Sequence, residues 1–501
     1  MNLTQALAQS TGQYPDKTAI FWGDAEFSYQ NLWNQVGHFS GLLRSQYGVK
    51  PGDRVGILLK NRPEYFTALF GVLHAGAVAV PINHFLKAAE VAFILEDCGV
   101  QVLISEACAG DLLNELQTAR PGLRIIQVAE WNPAEAAPAG PADPVLATEE
   151  DLAFIIYTSG TTGRPKGAML THGNLLHNVH SCSLVLEALN QDRFVLILPM
   201  FHSFMLCVCI LLPMAMGASV VLIKSVNQPK TIIQEIVARK ATVLPAIPQF
   251  FRAMTDPSIP ADLPLRVCVS GAAPLPIQVL ADFNKKFTVP LLEGYGLSET
   301  SPVVSINPIV GLSKAGSIGK PIVNVEVRVR GGDGQWLPPG EVGEICVRGG
   351  NVMRGYWNQP AATAEAIIDG WLLTGDVGYG DTDGYFFITD RKKDMLLVNG
   401  VNVYPREIEE LIYQYPGIRE AAVVGVPEPR KGEQPVAWIA VHDGAVVHEK
   451  ELFHFLRARL ADYKVPRHIH VVAALPRNAT GKILKTELRK MGRRVSEGQP
   501  G

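Results

Sequence analysis

The chain has 501 residues, with 45 Lys and Arg against 48 Asp and Glu, so it carries a formal charge of −3. About 47% of it is hydrophobic and 19% charged, with 46 Gly and 35 Pro, an ordinary globular composition that excludes collagen, disordered polymers and long coiled coils. The near-neutral balance argues against nucleic-acid binding, which needs clustered cations, and the length predicts roughly two to four packed units.

Taken in chain order, the amino terminus MNLTQALAQSTGQYPDK lacks the basic and apolar regions of a signal peptide. Strand-length apolar runs then alternate with helical patterns: 54–58, 77–80, 101–104, 125–128, 154–157, 242–244 and 267–269. That alternation predicts α/β layers with largely parallel sheets. Two segments, 69–81 (LFGVLHAGAVAVP) and 211–223 (LLPMAMGASVVLI), share the pattern apolar helix, glycine, strand. In each, the glycine suits a left-handed helix end. The Pro- and Ala-rich stretch 132–147 reads as a surface loop.

The 30 residues 194–223 contain no Asp, Glu, Lys or Arg, long enough to span a bilayer. Pro199, Pro213 and Gly217 interrupt them, so a buried strand at 195–198, a loop at 199–203, a helix and a strand at 219–223 are expected instead. After about residue 320, VEVRVR and EICVRG predict the hairpin strands of a smaller β-rich unit. Two amphipathic helices, PREIEELIYQYP and EKELFHFLRARLADYKVP, mark a third region. From Asp394 onward this region carries +3 while the rest carries −6, which fits a separate small domain. The seven cysteines (98, 108, 182, 207, 209, 268 and 346) are scattered and never in CxxC spacing. They suggest neither a disulfide framework nor a zinc site, and a reducing cytoplasmic compartment suits them.

The segment YTSGTTGRPKG, residues 157–167, follows the strand-like run LAFII. Its glycines let backbone N–H groups converge on an anion, its hydroxyls add donors, and Lys166 adds a cation. The composition suits a polyphosphate. It is no Walker A loop, because Pro165 stands where GxxxxGK[ST] has glycine.

Extended to YTSGTTGRPKGAMLTHGNL, this segment resembles the signature loop of adenylate-forming enzymes, the superfamily of acyl-CoA synthetases, luciferases and peptide-synthetase adenylation domains. SGAAPL (270–275), GYGLSET (294–300), TGD (374–376), DRKKDM (390–395), NGVNVYPREIE (399–409) and PRNATGK (476–482) follow in family order. The resemblance covers roughly residues 15–490. It implies a large N-terminal domain (1–390) of two layered α/β subdomains plus a small β-rich subdomain. A hinge (391–394) and a small mobile α+β C-terminal domain (395–501) follow.

It also implies an acid–thiol ligase using ATP, Mg²⁺ and CoA, in which a carboxylate first forms acyl-AMP and pyrophosphate. The barrier is electrostatic, because one anion approaches another, and cations and amide donors lower it. By family position, Thr158, Ser159, Gly160, Thr162, Gly163 and Lys166 would hold phosphates, while Thr161 and Glu299 would hold Mg²⁺. Tyr295 would stack on adenine against Gly271, Ala272 and Ala273. Glu293, Gly294, Gly296, Ser298, Thr300 and Ile388 would complete the nucleotide site. Asp376 would bind the ribose with support from Arg391, and Lys482 would bridge carboxylate and phosphate oxygens. Lys393 matches the hinge, and Gly400 in 399–403 the pantetheine tunnel.

His202 stands at the family position at the acyl pocket entrance. The run around it, PMFHSFMLCVCILLP, has no Lys or Arg to pair with a second carboxylate, which disfavours malonate-like acids. The motif texts are most similar to bacterial medium- and long-chain fatty acyl-CoA synthetases. Leu206 stands where some long-chain members carry a gating tryptophan, so chain length stays open. An aryl acid or a carrier-protein acceptor shares the same motifs, and a nonenzymatic nucleotide-binding protein would have lost Lys482, Glu299 or Lys166. Monomer or homodimer, and transient contact of the apolar surface with a membrane, are both left open.

Overall fold

The computed structural model describes residues 1–106, 109–128, 144–158, 165–224, 229–398, 401–428, 432–477 and 482–496. A large N-terminal domain of layered sheets and helices is followed by a smaller C-terminal one. One seven-stranded sheet runs in the order Gly355–Tyr356, Lys166–Thr171, Leu152–Thr158, Val78–Pro81, Arg54–Leu58, Val102–Ser105 and Arg124–Gln127. Its last five strands are parallel, and Lys166–Thr171 turns back antiparallel against Leu152–Thr158. A nine-stranded sheet centres on the parallel strands Leu291–Gly296, Val267–Ser270, Val243–Ala246, Arg193–Leu196, Ser219–Leu222 and Thr18–Trp22. Their central strands, such as Val78–Pro81, Val243–Ala246 and Ser219–Leu222, are buried along their whole length, as parallel strands covered by helices on each face must be.

The expected strand runs all appear, 54–58 with the same bounds and the others shifted by one or two residues at their ends. The glycines of the two echoing segments behave alike: Gly76 has φ +73° and Gly217 has φ +68°, each just after a helix. At Gly217 a side chain would also strike the ring of Tyr14, 2.5 Å from an added Cβ. The hairpin Val325–Arg330 with Gly343–Gly349 forms as expected and joins Trp371–Gly380 and Phe386–Arg391 in a third sheet. The C-terminal unit packs Pro405–Tyr413 and Glu449–Arg457 on a sheet built from Ile418–Glu428 and Gly432–Val441. Most of the stretch 132–147 lies outside the described residues.

The charge-free segment 194–223 is a core layer. Strand Arg193–Leu196 leads through a short helix, Ser203–Met205, into a π-helical turn over Leu206–Leu211, then Leu212–Met216 and strand Ser219–Leu222. The π turn has a local cause: Pro213 has no N–H for the carbonyl of Cys209, and Leu212 instead donates to Cys207 five residues back. Among the described residues no helix is long and apolar enough to cross a membrane.

The carboxyl ends of parallel strands from both large sheets converge on one cleft, the place where open α/β sheets bind ligands. Thr158, Ser270, Gly296 and the loop carrying His202 all leave strands there. The loop after Gly296 is braced from below by Asn178, wholly buried on helix His172–Val185. Its Nδ2 donates to the carbonyl of Val303 at 2.7 Å, and its Oδ1 accepts from the N–H of Val303 at 3.2 Å. Replacing Asn178 by Ala leaves that N–H buried without its acceptor. We expect Asn178→Ala to lower unfolding free energy by about 1–3 kcal/mol in urea titration. An unchanged midpoint would show that the amide carries no load.

Candidate active site

The cleft is organised by buried carboxylates and the groups that hold them. Asp376, on the strand Trp371–Gly380, is 2% exposed. Its Oδ2 accepts from the Tyr295 hydroxyl at 2.5 Å, and its Oδ1 lies 3.0 Å from Arg391 Nε. Arg391 is Asp376's register partner on the neighbouring strand, so the ion pair follows from strand pairing. Burial, then the Asp376 charge, push the Tyr295 phenol well above its ordinary range and keep it a donor. This hydrogen bond is one of the links between the nine-stranded sheet and the β-rich third sheet.

Across the cleft, Glu299 Oε1 accepts from Tyr356 at 3.0 Å and lies 3.4 Å from Thr158 Oγ1. Lys166, paired in register with Thr158, holds its ammonium 5.1 Å over the Tyr356 ring. Ser159, Gly160, Thr161, Thr162 and Gly163 lie outside the described residues, as does Gly400. The described ends of the phosphate loop, Thr158 and Lys166, therefore face Glu299 and Tyr356. Among the described residues no cluster of three or more His, Cys, Asp and Glu could hold a metal. One carboxylate beside a hydroxyl suits Mg²⁺, which is commonly bound through one or two carboxylates plus substrate phosphates.

The glycines leave space where backbone must approach backbone. An added Cβ on Gly296 would lie 1.9 Å from the carbonyl oxygen of Pro302, so no side chain fits. On Gly271 it would lie 3.0 Å from the tip of the Phe204 ring. Ala272 holds φ +65°, a left-handed conformation uncommon for a residue with a side chain, and such strain clusters at functional sites. Gly294 continues the strand pairing, opposite Ile306. Thr300 is buried, its hydroxyl bound to the carbonyls of Leu297 and Pro302. It shapes the loop rather than facing the cleft. Glu293 is buried as well, accepting from the N–H of Leu275 at 3.0 Å.

His202 begins the short helix, its Nδ1 accepting from the N–H of Phe204 at 3.3 Å. Burial, with Lys482 as a second cause, lowers it to about 4, so the ring is neutral at physiological pH. That effect brings the C-terminal unit into the cleft, since Lys482 belongs to its last loop. Burial first, and then Arg391, lower the Lys482 ammonium to about 8, while Asp376 opposes them. The Lys482 side chain is also exposed to water, which screens the charges around it. Lys393 is lowered by burial and by Arg391. The Ile388 carbonyl accepts from Arg406 at 3.0 Å and the Ile388 side chain is half-buried. The cysteines on the π turn, Cys207 and Cys209, are buried and unpaired in disulfide, as the core reading expects.

The motifs did not single out Tyr356, the Ser203–Ser298 hydroxyl pair at 3.0 Å, or Arg406. Tyr356 sits in the unremarkable text RGYWN, and no spacing rule pointed to it.

The sequence profile described as AMP-binding enzyme matches residues 7–357, and that described as AMP-binding enzyme C-terminal domain matches residues 407–482. A feruloyl-CoA synthase from Amycolatopsis sp is 38% identical over 481 residues, covering 95% of this chain and 96% of that protein. A long-chain-fatty-acid–CoA ligase from Bacillus subtilis (strain 168) is 34% identical over 526 residues, covering 97% and 94%. The crystal structure of ATP-bound MatB from Rhodopseudomonas palustris superposes with a TM-score of 0.92 at 30% identity, covering 99% of this chain and all of that one. With seven ordered motifs, one cleft at the strand ends and both domains matched, the chain belongs to the AMP-binding, adenylate-forming enzymes and is an ATP-dependent, AMP-forming CoA ligase that uses Mg²⁺ and CoA and proceeds through an acyl-AMP.

Proposed function

We propose that the acid joined to CoA is a hydrophobic monocarboxylate, in the first place a medium- to long-chain fatty acid. The observation that supports this reading is the composition of the run beyond His202. Residues Phe204 to Leu212 are all buried and apolar or thiol-bearing, with no cation to pair with a second carboxylate. Each methylene that an apolar pocket buries contributes about 0.8 kcal/mol, enough to separate long tails from short ones. The relatives named fatty-acid–CoA ligase support it. An arylpropenoate is the second reading. The 38% identical feruloyl-CoA synthase favours it.

The residues divide the work as follows. A carboxylate oxygen of the acid attacks the α-phosphorus of ATP, a P–O bond forms there, and the bond to the β-phosphate oxygen breaks to release pyrophosphate. Lys166 and the loop before it bind the β- and γ-phosphates. Glu299 and Thr161 would hold Mg²⁺, which when bound would offset phosphate charge. Asp376, fixed by Tyr295 and Arg391, accepts from the ribose hydroxyls. Lys482 would bridge the carboxylate and the α-phosphate, cancelling repulsion at the reacting atoms. Neutral His202 adds no competing charge at the pocket mouth. In the second step the CoA sulfur attacks the acyl carbonyl and AMP leaves. The domain comprising residues 395–501 turns about a hinge at residues 391–394 between the two steps.

The deciding experiment is AMP release with ATP, Mg²⁺ and CoA across acetate, hexanoate, decanoate, palmitate, malonate, benzoate and coumarate. A CoA-dependent maximum among the straight-chain acids is expected. A maximum at coumarate would replace the fatty acid by the aryl acid, and AMP release independent of CoA would point to a carrier-protein acceptor.

Lys482 also fixes a pH dependence. The ammonium is the active form and lies below its pKa of about 8. As pH rises through that value the proton is lost and with it the cancelling charge. The kcat/KM of acyl-AMP formation, which reports the free enzyme, should therefore fall above pH 8. A profile flat to well above that pH would contradict the assignment.

A further inference from the structure

Arg406 opens the helix Pro405–Tyr413 of the C-terminal unit, yet most of what it touches lies earlier in the chain. Its backbone N–H donates to Asp390 Oδ2 at 3.0 Å, its Nη1 donates to the Ile388 carbonyl at 3.0 Å, and its Nη2 lies 3.8 Å from Glu293 Oε1. One turn on, Glu410 lies 4.0 Å from Arg406 Nε and accepts from the N–H of Ile277 at 3.5 Å. That N–H begins the helix Ile277–Lys286 of the large domain. A further turn on, the Tyr413 ring lies 5.4 Å from the guanidinium of Arg252. Positions 406, 410 and 413 share one helix face, and that whole face is turned to the large domain.

The seam is dry. The side chains of Arg406 and Glu293 are 11% and 5% exposed. Burial pushes the Glu293 carboxyl up to about 7, and the Arg406 guanidinium is the first group opposing that rise. Two charges kept in such a place are costly unless they meet each other. An arginine there specifies orientation better than a plain apolar contact, because its planar fork serves a carboxylate and a carbonyl at once.

The helix is in turn tied to the loop that bears Lys482. Lys485 Nζ lies 2.8 Å from Glu409 Oε1, and Arg489 pairs with Asp394. Whatever sets the orientation of Pro405–Tyr413 therefore sets where Lys482 stands.

We propose that Arg406 is a positioning residue for acyl-AMP formation. By clasping Glu293, Ile388 and Asp390 it holds the C-terminal unit in the orientation that brings Lys482 to His202, Arg391 and Asp376, and it must release them before CoA can react. The inference rests on the reading of residues 391–394 as a hinge. Glu293, Ile388 and Asp390 precede that segment and Arg406 follows it, so rotation there parts every one of these contacts.

The test separates the half-reactions in Arg406→Gln and Arg406→Lys. ATP–pyrophosphate exchange with the preferred acid reads the first, and thioester formation from synthetic acyl-AMP and CoA reads the second. Arg406→Gln should lose about tenfold or more in exchange while thioester formation stays within about twofold of native. Arg406→Lys keeps the charge near Glu293 but not the fork, and should lose about threefold in exchange alone. Equal losses in both half-reactions would reduce Arg406 to a structural residue, and no loss in either would remove it from the mechanism. Both results overturn the proposal. Should Arg406→Gln fail to fold, the lysine variant decides by the same split. Should the native enzyme exchange with no acid, the functional reading fails by itself. The clasp is then judged by trypsin cleavage at Arg391–Lys393, which should be about threefold faster in the variant than in the native chain. Equal cleavage rates would overturn it.

Discussion

Asp376 is a carboxylate in a nearly water-free place, bound on one side by the Tyr295 hydroxyl and on the other by the Arg391 guanidinium. Leaving it without either partner would strand a buried charge, which is among the more costly defects a fold can carry. The pairing thus ties the nine-stranded sheet, the β-rich sheet and the start of the C-terminal unit to one point. Lys482, Lys393 and Arg391 are all felt at that point, so three cations gather where a nucleotide and an acid, both anionic, must meet.

Gathering those cations has a consequence. Burial first, and then the Arg391 charge, hold Lys482 and Lys393 below the ordinary lysine range, while Asp376 holds Arg391 above its own. An anionic ligand relieves that repulsion. The neutral His202 fits the same logic, since a further cation at the pocket mouth would add to the repulsion.

Much of this was legible in the chain. Strands such as Arg54–Leu58 and Val267–Ser270 announce themselves by short β-branched runs, and the amphipathic helix Pro405–Tyr413 by its spacing and its proline at the start. Strand ends were displaced because apolar periodicity marks what is buried, while pairing partners decide where a strand stops. The π turn at Leu206–Leu211 went unforeseen: an all-apolar run gives no periodicity to read, and only Pro213 hinted at a disturbed ladder. The motif residues Tyr295, Asp376, Arg391, Lys482 and His202 do come together. Thr300, read from the same motif, turns inward to the loop's carbonyls instead. Tyr356 and Arg406 escaped notice because their roles depend on contacts with Glu299 and Glu293, far away in sequence, which no local pattern encodes.

The central claim is that one cleft, shared by two domains, forms acyl-AMP first and spends it on CoA second. Enzyme mixed with ATP, Mg²⁺ and the preferred acid without CoA should accumulate about one equivalent of acyl-AMP per chain in a rapid-quench experiment. Adding CoA should then convert that pool to thioester and AMP in a single exponential phase. Thioester formed without prior acyl-AMP, or an acyl-AMP pool that CoA does not consume, would contradict the account.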